Sequence, residues 1–164
     1  IARTHSFGTS ARILKVQPLP EGRMDLIAIG HQRFRVGELD RDSEPYLQGS
    51  VEFLSESDAT ADDDRHASAL LPLIQEYVEL LGNGEEESGL NYSRLPREAR
   101  ALSYAAAYLL HVPQYQKQQL LEIVTLPELL TAVQSSYRNQ IDLLKIVKDR
   151  GLEPPEGPVG PSLN

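Results

Sequence analysis

The sequence predicts an α+β fold in which the strands come first and the helices second. Three observations carry that expectation. The first third holds short apolar runs separated by turn residues, an acidic stretch follows at 56–64, and helical periodicity dominates beyond it. Phe7 to Val16 reads as a strand with Ala11 and Ile13 on one face. Pro18-Leu19-Pro20-Glu21-Gly22 is a turn, because proline pre-sets φ and glycine supplies a positive one. Met24 to Ile29 returns as the second arm of a hairpin. Gly30 marks a bulge or bend that redirects the chain.

Arg33 to Glu38 reads as a third strand. Arg33 and Arg35 share one face, and Phe34 and Val36 share the other. After the polar turn 40–45, the run from Tyr46 to Leu54 reads as a fourth, with Leu47, Val51 and Phe53 in one parity. The stretch Glu56 to Asp64 has five acids and no base, so it suits a linker that doubles as a helix start. Leu70, Leu73, Ile74, Tyr77, Val78 and Leu81 then follow i, i+3, i+4, i+7 spacing, and Gly82-Asn83-Gly84 stops that helix. Glu85 to Gly89 is a solvated loop. Pro96 opens a second helix with Ala99, Leu102, Ala106 and Leu109 or Leu110 inward, and His111-Val112-Pro113 breaks it. A short helix spans Gln114 to Val124. Thr125-Leu126-Pro127-Glu128 has the pattern of a capping box ahead of a last helix to about Arg150. Its stripe is Leu129, Leu130, Val133, Tyr137, Ile141, Leu144 and Val147, and Gly151 ends it. The proline-rich run from Glu153 to Pro161 reads as an extended tail. The expected organisation is therefore a β lobe at 1–56, an acidic linker at 57–64, a helical bundle at 65–150 and a tail at 151–164.

Composition narrows the function. Acids outnumber bases 24 to 16, for a formal charge of −8, which repels phosphate backbones and argues against nucleic acid as a partner. Only Arg33, Arg35 and Arg41, or Arg94, Arg97 and Arg100, approach a basic cluster. With no cysteine there is no disulfide or thiolate metal site, and a cytoplasmic setting is expected. No apolar run is long enough to cross a bilayer, so no membrane partner is expected.

No glycine-rich phosphate loop precedes a Lys-Ser/Thr pair, so no nucleotide cofactor is expected. His5, His31, His66 and His111 share no helix face at i, i+4, so no metal is expected. Asp62-Asp63-Asp64 lacks the ligand spacing and turn glycine of a calcium loop. No catalytic residue is assigned. The candidate binding residues are Arg33 and Arg35, which suit acidic segments of a partner or pair with neighbouring acids. Phe7 and Tyr46 suit an apolar groove for extended peptide or the core. Tyr104 and Tyr108, with Tyr115, suit an aromatic patch.

The order of several motifs resembles the Lon protease N-terminal domain family, with its PUA-like β lobe. The matching pieces are Gly8-Thr9, Leu19-Pro20-Glu21-Gly22, Gly30-His31-Gln32-Arg33-Phe34-Arg35-Val36, Pro45-Tyr46-Leu47 and Val51-Glu52-Phe53-Leu54. In the helical half they are Leu95-Pro96, Ala101-Leu102-Ser103-Tyr104, Val112-Pro113, Gln116 to Glu122 and Gln140 to Leu144. The resemblance covers about residues 6 to 148. It implies a PUA-like antiparallel β lobe followed by a helical bundle. It also implies a non-catalytic module that binds unfolded or partly folded polypeptide, or docks a protease or adaptor partner, in a cleft between the lobes or on the β lobe. Self-association is left open. The family carries an earlier β segment ahead of the equivalent of Gly8, so the resemblance implies that the β lobe lacks its first part here. The proline-rich end, in place of ATPase and protease domains, suggests a stand-alone protein. Pro155 to Ser162 is superficially similar to the loop around the Lon catalytic serine, but no lysine follows to act as its base. The alternatives are an N-terminal fragment of an ATP-dependent serine protease and an RNA-binding PUA-like module.

Overall fold

A computed structural model describes residues 4–81 and 95–152 and divides the chain into two compact units, 1–56 and 57–164. The glycine stop at 82–84, the loop 85–89 and the tail from 153 lie outside the described residues.

The first unit is an antiparallel sheet of β1 (Phe7–Pro18), β2 (Met24–Asp40) and β3 (Gln48–Phe53), in the order β1-β2-β3. A 3-10 turn at Pro20–Gly22 joins β1 to β2, with Glu21 and Gly22 both at positive φ. Three strands stand where four were expected. Gly30 does not end a strand, because Met24–Asp40 runs on as one ribbon and local irregularities absorb the mismatch. The register shifts between Ile13 and Lys15, between Thr9 and Ala11, and again between Val36 and Leu39 on the β3 side. The last strand begins at Gln48, leaving Tyr46 and Leu47 in the preceding bend.

Each bulge inserts a residue into one strand, so side-chain parity changes across it. Ala11, Ile13 and Val16 pair with Gly30, Ala28 and Leu26 and share one face. Arg12, Lys15 and Gln17 pair with Ile29, Ile27 and Asp25 and share the other. Toward β3 the pairs are Phe34 with Phe53 and Val36 with Val51. The rings of Phe34 and Phe53 meet edge to face at 6.2 Å. The Phe34 ring also lies over Gly8, where an added Cβ would stand 2.7 Å from it. One aromatic contact therefore ties all three strands.

The second unit is helical: α1 (Ala61–Ser68), α2 (Leu70–Leu80), α3 (Ala99–Leu109), α4 (Gln114–Glu122) and α5 (Leu126–Asp149). The acidic stretch does start a helix. Thr60 and Asp63 form a reciprocal capping box, with the Thr60 N–H donating to Asp63 Oδ2 at 2.8 Å and the Asp63 N–H donating to Thr60 Oγ1 at 3.2 Å. These hydrogen bonds hold the Asp63 carboxyl below its ordinary range, the one from the Thr60 N–H most of all. The box expected at Thr125 does not form. There the hydroxyl donates to the Glu128 carboxylate at 2.6 Å and caps no backbone N–H.

The periodic residues meet in one core. Leu70, Ile74, Tyr77 and Val78 of α2 pack with Ala99, Leu102 and Ala106 of α3 and with Leu129, Leu130, Val133, Tyr137, Ile141 and Leu144 of α5. Tyr137 is buried and donates its hydroxyl to the Ala106 carbonyl at 2.9 Å. Its ring meets that of Tyr77 edge to face at 5.3 Å. Gly151, at φ 65°, follows the last helical turn.

Candidate functional site

The candidate residues fall on both units, and the structure gathers them into separate small groups. Arg33 is only 4% exposed, and its Nε donates to Glu56 Oε1 at 3.1 Å. Its guanidinium is thus a buried support for the end of the sheet. Beside it, the Leu54 N–H donates to the Arg33 carbonyl and Gln32 Nε2 donates to the Leu54 carbonyl. Arg35 is exposed, 3.8 Å from Glu52 and 5.4 Å from the centre of the Phe7 ring. These three form a cation–π and ion-pair row across β1, β2 and β3, because 7, 35 and 52 are register partners. Tyr46 is exposed in the bend before β3.

On the helical unit Tyr104 packs partly against the core, while Tyr108 and Tyr115 are exposed. Lys117 Nζ donates to the Tyr108 carbonyl at 2.9 Å and sits 5.5 Å from the Tyr108 ring centre. Burial pushes the Lys117 ammonium below its ordinary range. His111 lies in the break between α3 and α4. Its backbone N–H donates to the Tyr77 hydroxyl at 3.0 Å, and its buried Nδ1 has no hydrogen-bond partner among the described residues. Burial, with the nearby Lys117 charge second, holds this imidazole below its usual value. Among the described residues no group of three or more His, Cys, Asp or Glu converges as a metal site would. Likewise, no described helix is long and apolar enough to cross a membrane.

The largest feature is one that residue-by-residue reading passed over. Beyond the reach of β3, β1 and β2 continue as a two-stranded arm. Ile13, Leu14, Val16, Met24, Leu26, Ile27 and Ile29 are each 50–58% exposed there. Leu26 lies on one face and Ile27 and Ile29 on the other, so the arm is apolar on both sides. The signal was present in the sequence. Leu26 to Ile29 is apolar at every position rather than alternating, the pattern of a strand built for cover on both faces. A two-stranded ribbon is marginal alone in water. Seven such side chains expose on the order of several hundred Å², the size of patch that marks interaction sites.

Comparison with known proteins places this geometry. The family description for the ATP-dependent protease La (LON) substrate-binding domain matches residues 1–136. A Lon protease of Methylocella silvestris is 29% identical over 148 residues, 90% of this chain and 18% of that protein. One from Anaeromyxobacter dehalogenans is 28% identical over 147 residues, 88% of this chain and 17% of that protein. The chain thus spans less than a fifth of these relatives. Among solved structures, the N-terminal domain of a Mycobacterium avium complex Lon protease superposes with a TM-score of 0.64 at 23% identity, covering 84% of this chain and 72% of that one. A Lon N-terminal domain protein from Xanthomonas campestris gives 0.54 at 21% identity, covering 80% and 68%.

Proposed function

The chain belongs to the Lon substrate-binding domain family, and from that premise we propose that it is a non-catalytic module that captures unfolded or partly folded polypeptide for a protease. The observation that carries this reading is the apolar arm, exposed on both faces. A client that buries its own apolar residues against Ile13, Leu26, Ile27 and Ile29 removes both surfaces from water. Little side-chain specificity is needed. Affinity is modest, because ordering a flexible client costs conformational entropy. The Arg35–Phe7–Glu52 row and the Tyr108–Lys117 pair supply polar and aromatic contacts on each unit.

The charge distribution supports protein over nucleic acid. The unit 57–164 has 16 acids against 9 bases, while 1–56 is nearly balanced at 8 against 7. Photo-crosslinking to reduced, carboxymethylated lactalbumin, with the crosslinks mapped, tests the reading. Crosslinks concentrate on 13–16 and 24–29, and capture persists at high salt. Scattered crosslinks would remove it, and steep loss of binding with salt would point to RNA instead.

A further inference from the structure

The charge pattern of the helical unit singles out one face. Between Ala101 and Leu121 the sequence holds a single Asp, Glu, Lys or Arg, namely Lys117, although such residues make up 24% of the chain. That stretch covers most of α3, the break after it and nearly all of α4. Tyr108, Gln114, Tyr115 and Gln119 are exposed within it. Phenols and amides without charge are the composition of the middle of a protein interface, not of a solvated helix face. Lys117 differs from an ordinary surface lysine. Its side chain reaches back from α4 to the last turn of α3, where Nζ donates to the Tyr108 carbonyl at 2.9 Å and lies over the Tyr108 ring. These contacts already hold the ammonium, so little rotamer entropy remains to be lost on binding. An ammonium has three donors, and the carbonyl takes one. Among the described residues no carboxylate stands in ion-pair reach of Lys117, whereas Arg35, Arg65 and Lys145 each have one. Burial holds the ammonium below its ordinary range, with no acid offsetting that cost. Gln114 lies three residues before Lys117 on α4, so the two are neighbours on its surface.

We propose that the face made by Tyr108, Gln114 and Lys117 docks a segment of a partner protein that carries one glutamate or aspartate between aliphatic residues and no other charge. The carboxylate accepts from the Lys117 ammonium, which restores the compensation that burial removed. An aliphatic neighbour covers the exposed Tyr108 ring, and the Gln114 amide serves the segment's backbone. A second charge on the segment would meet no counterpart here, so the surrounding neutrality sets specificity as much as the cation does. The face lies wholly on the helical unit, so it is a docking site separate from the apolar arm. Nucleic acid is a poor occupant, because one cation cannot offset a row of phosphates on a unit with 16 acids against 9 bases. A second copy presenting the same face is poor as well, since it brings another ammonium and no carboxylate.

The test is a peptide titration of the isotope-labelled full chain, followed by its amide chemical shifts. The peptides are acetyl-Ala-Leu-Glu-Leu-Ala-amide, its glutamine and lysine counterparts, and the glutamine peptide with a free terminal carboxylate. The glutamate peptide shifts the amides of Tyr108, Gln114 and Lys117 saturably. It binds about fivefold more tightly than the glutamine peptide, the ratio expected of one partly exposed charge pair. Lys117→Met abolishes that ratio, Lys117→Arg keeps it, and Lys117→Glu makes the lysine peptide the preferred one, each with an unchanged circular dichroism spectrum. Ile27→Ala in the arm leaves the ratio as it was. The proposal is overturned if the glutamate peptide gives no saturable shift, if it binds no better than the glutamine peptide, or if its advantage survives Lys117→Met. Tighter binding of the free-acid peptide than of the glutamate peptide would make a chain terminus the occupant instead. Loss of glutamate-peptide binding in Ile27→Ala would assign the segment to the arm and remove the separate site.

Discussion

The two units spend their apolar residues in opposite ways. Among the described residues, Leu54 is the one buried apolar side chain within 4–56, while eighteen lie within 57–152. The helical unit closes on itself because a 3.6-residue stripe on each helix finds another stripe to cover it. Among the described residues 4–56 the sheet has no second layer, and its arm shows large aliphatic side chains on both faces. Apolar content alone therefore does not tell core from contact surface; what lies opposite each face does.

Truncating matched side chains in the two units gives the sharpest contrast. Leu130→Ala empties a site in the helical core and lowers stability by about 3 kcal/mol, read by urea unfolding followed at 222 nm. Ile27→Ala, in the half-exposed arm, lowers it by less than about 1 kcal/mol yet weakens capture of an unfolded client. If the two variants unfolded at the same urea concentration, the division between core and contact surface would be wrong.

A smaller effect confined to the sheet follows from its one buried cation. Arg33→Ala removes the ion pair to Glu56 and costs about 2 kcal/mol, less than loss of a fully buried pair because Glu56 is partly hydrated. Hydrogen exchange should speed up across β2 and β3 and stay unchanged in α2 and α5. Equal acceleration in the helices would show that the units do not unfold separately.

The smallest effect is a pH dependence of the helical unit alone. His111 has its imidazole held below the ordinary value of 6.5 in the folded state, so between those two values the unfolded chain binds the extra proton. Stability is full above pH 6.5 and falls as the pH drops from there toward the folded-state value. His111→Gln flattens that segment of the profile. A profile that keeps its slope in the variant would assign the effect to another group.

The helical unit was largely legible in the sequence because its signal is repetitive. Six of the seven stripe residues expected on the last helix are buried, and Val147 is half-buried one turn from the end. The strands were less legible: Gly30 marks a bulge or bend, as the register shift beside it bears out, but a glycine does not say whether the strand runs on beyond it. Gly30 and Gly37 interrupt the pattern of β2 without ending it. The caps show how local competition decides. Thr60 and Thr125 each precede an acid by three residues, but Pro127 removes one backbone donor and Glu128 captures the Thr125 hydroxyl. The positions of the candidate side chains were the least legible. Arg33 and Arg35 share a parity, yet one is buried against Glu56 and the other is exposed beside Glu52, a difference set by residues more than fifteen positions away.

The Phe34 ring resting on Gly8 and against Phe53 has an evolutionary corollary. A methyl group at position 8 would evict the ring, and with it the marker that aligns neighbouring ribbons. Change there is accessible only in step with a smaller partner at 34, which couples two codons twenty-six positions apart.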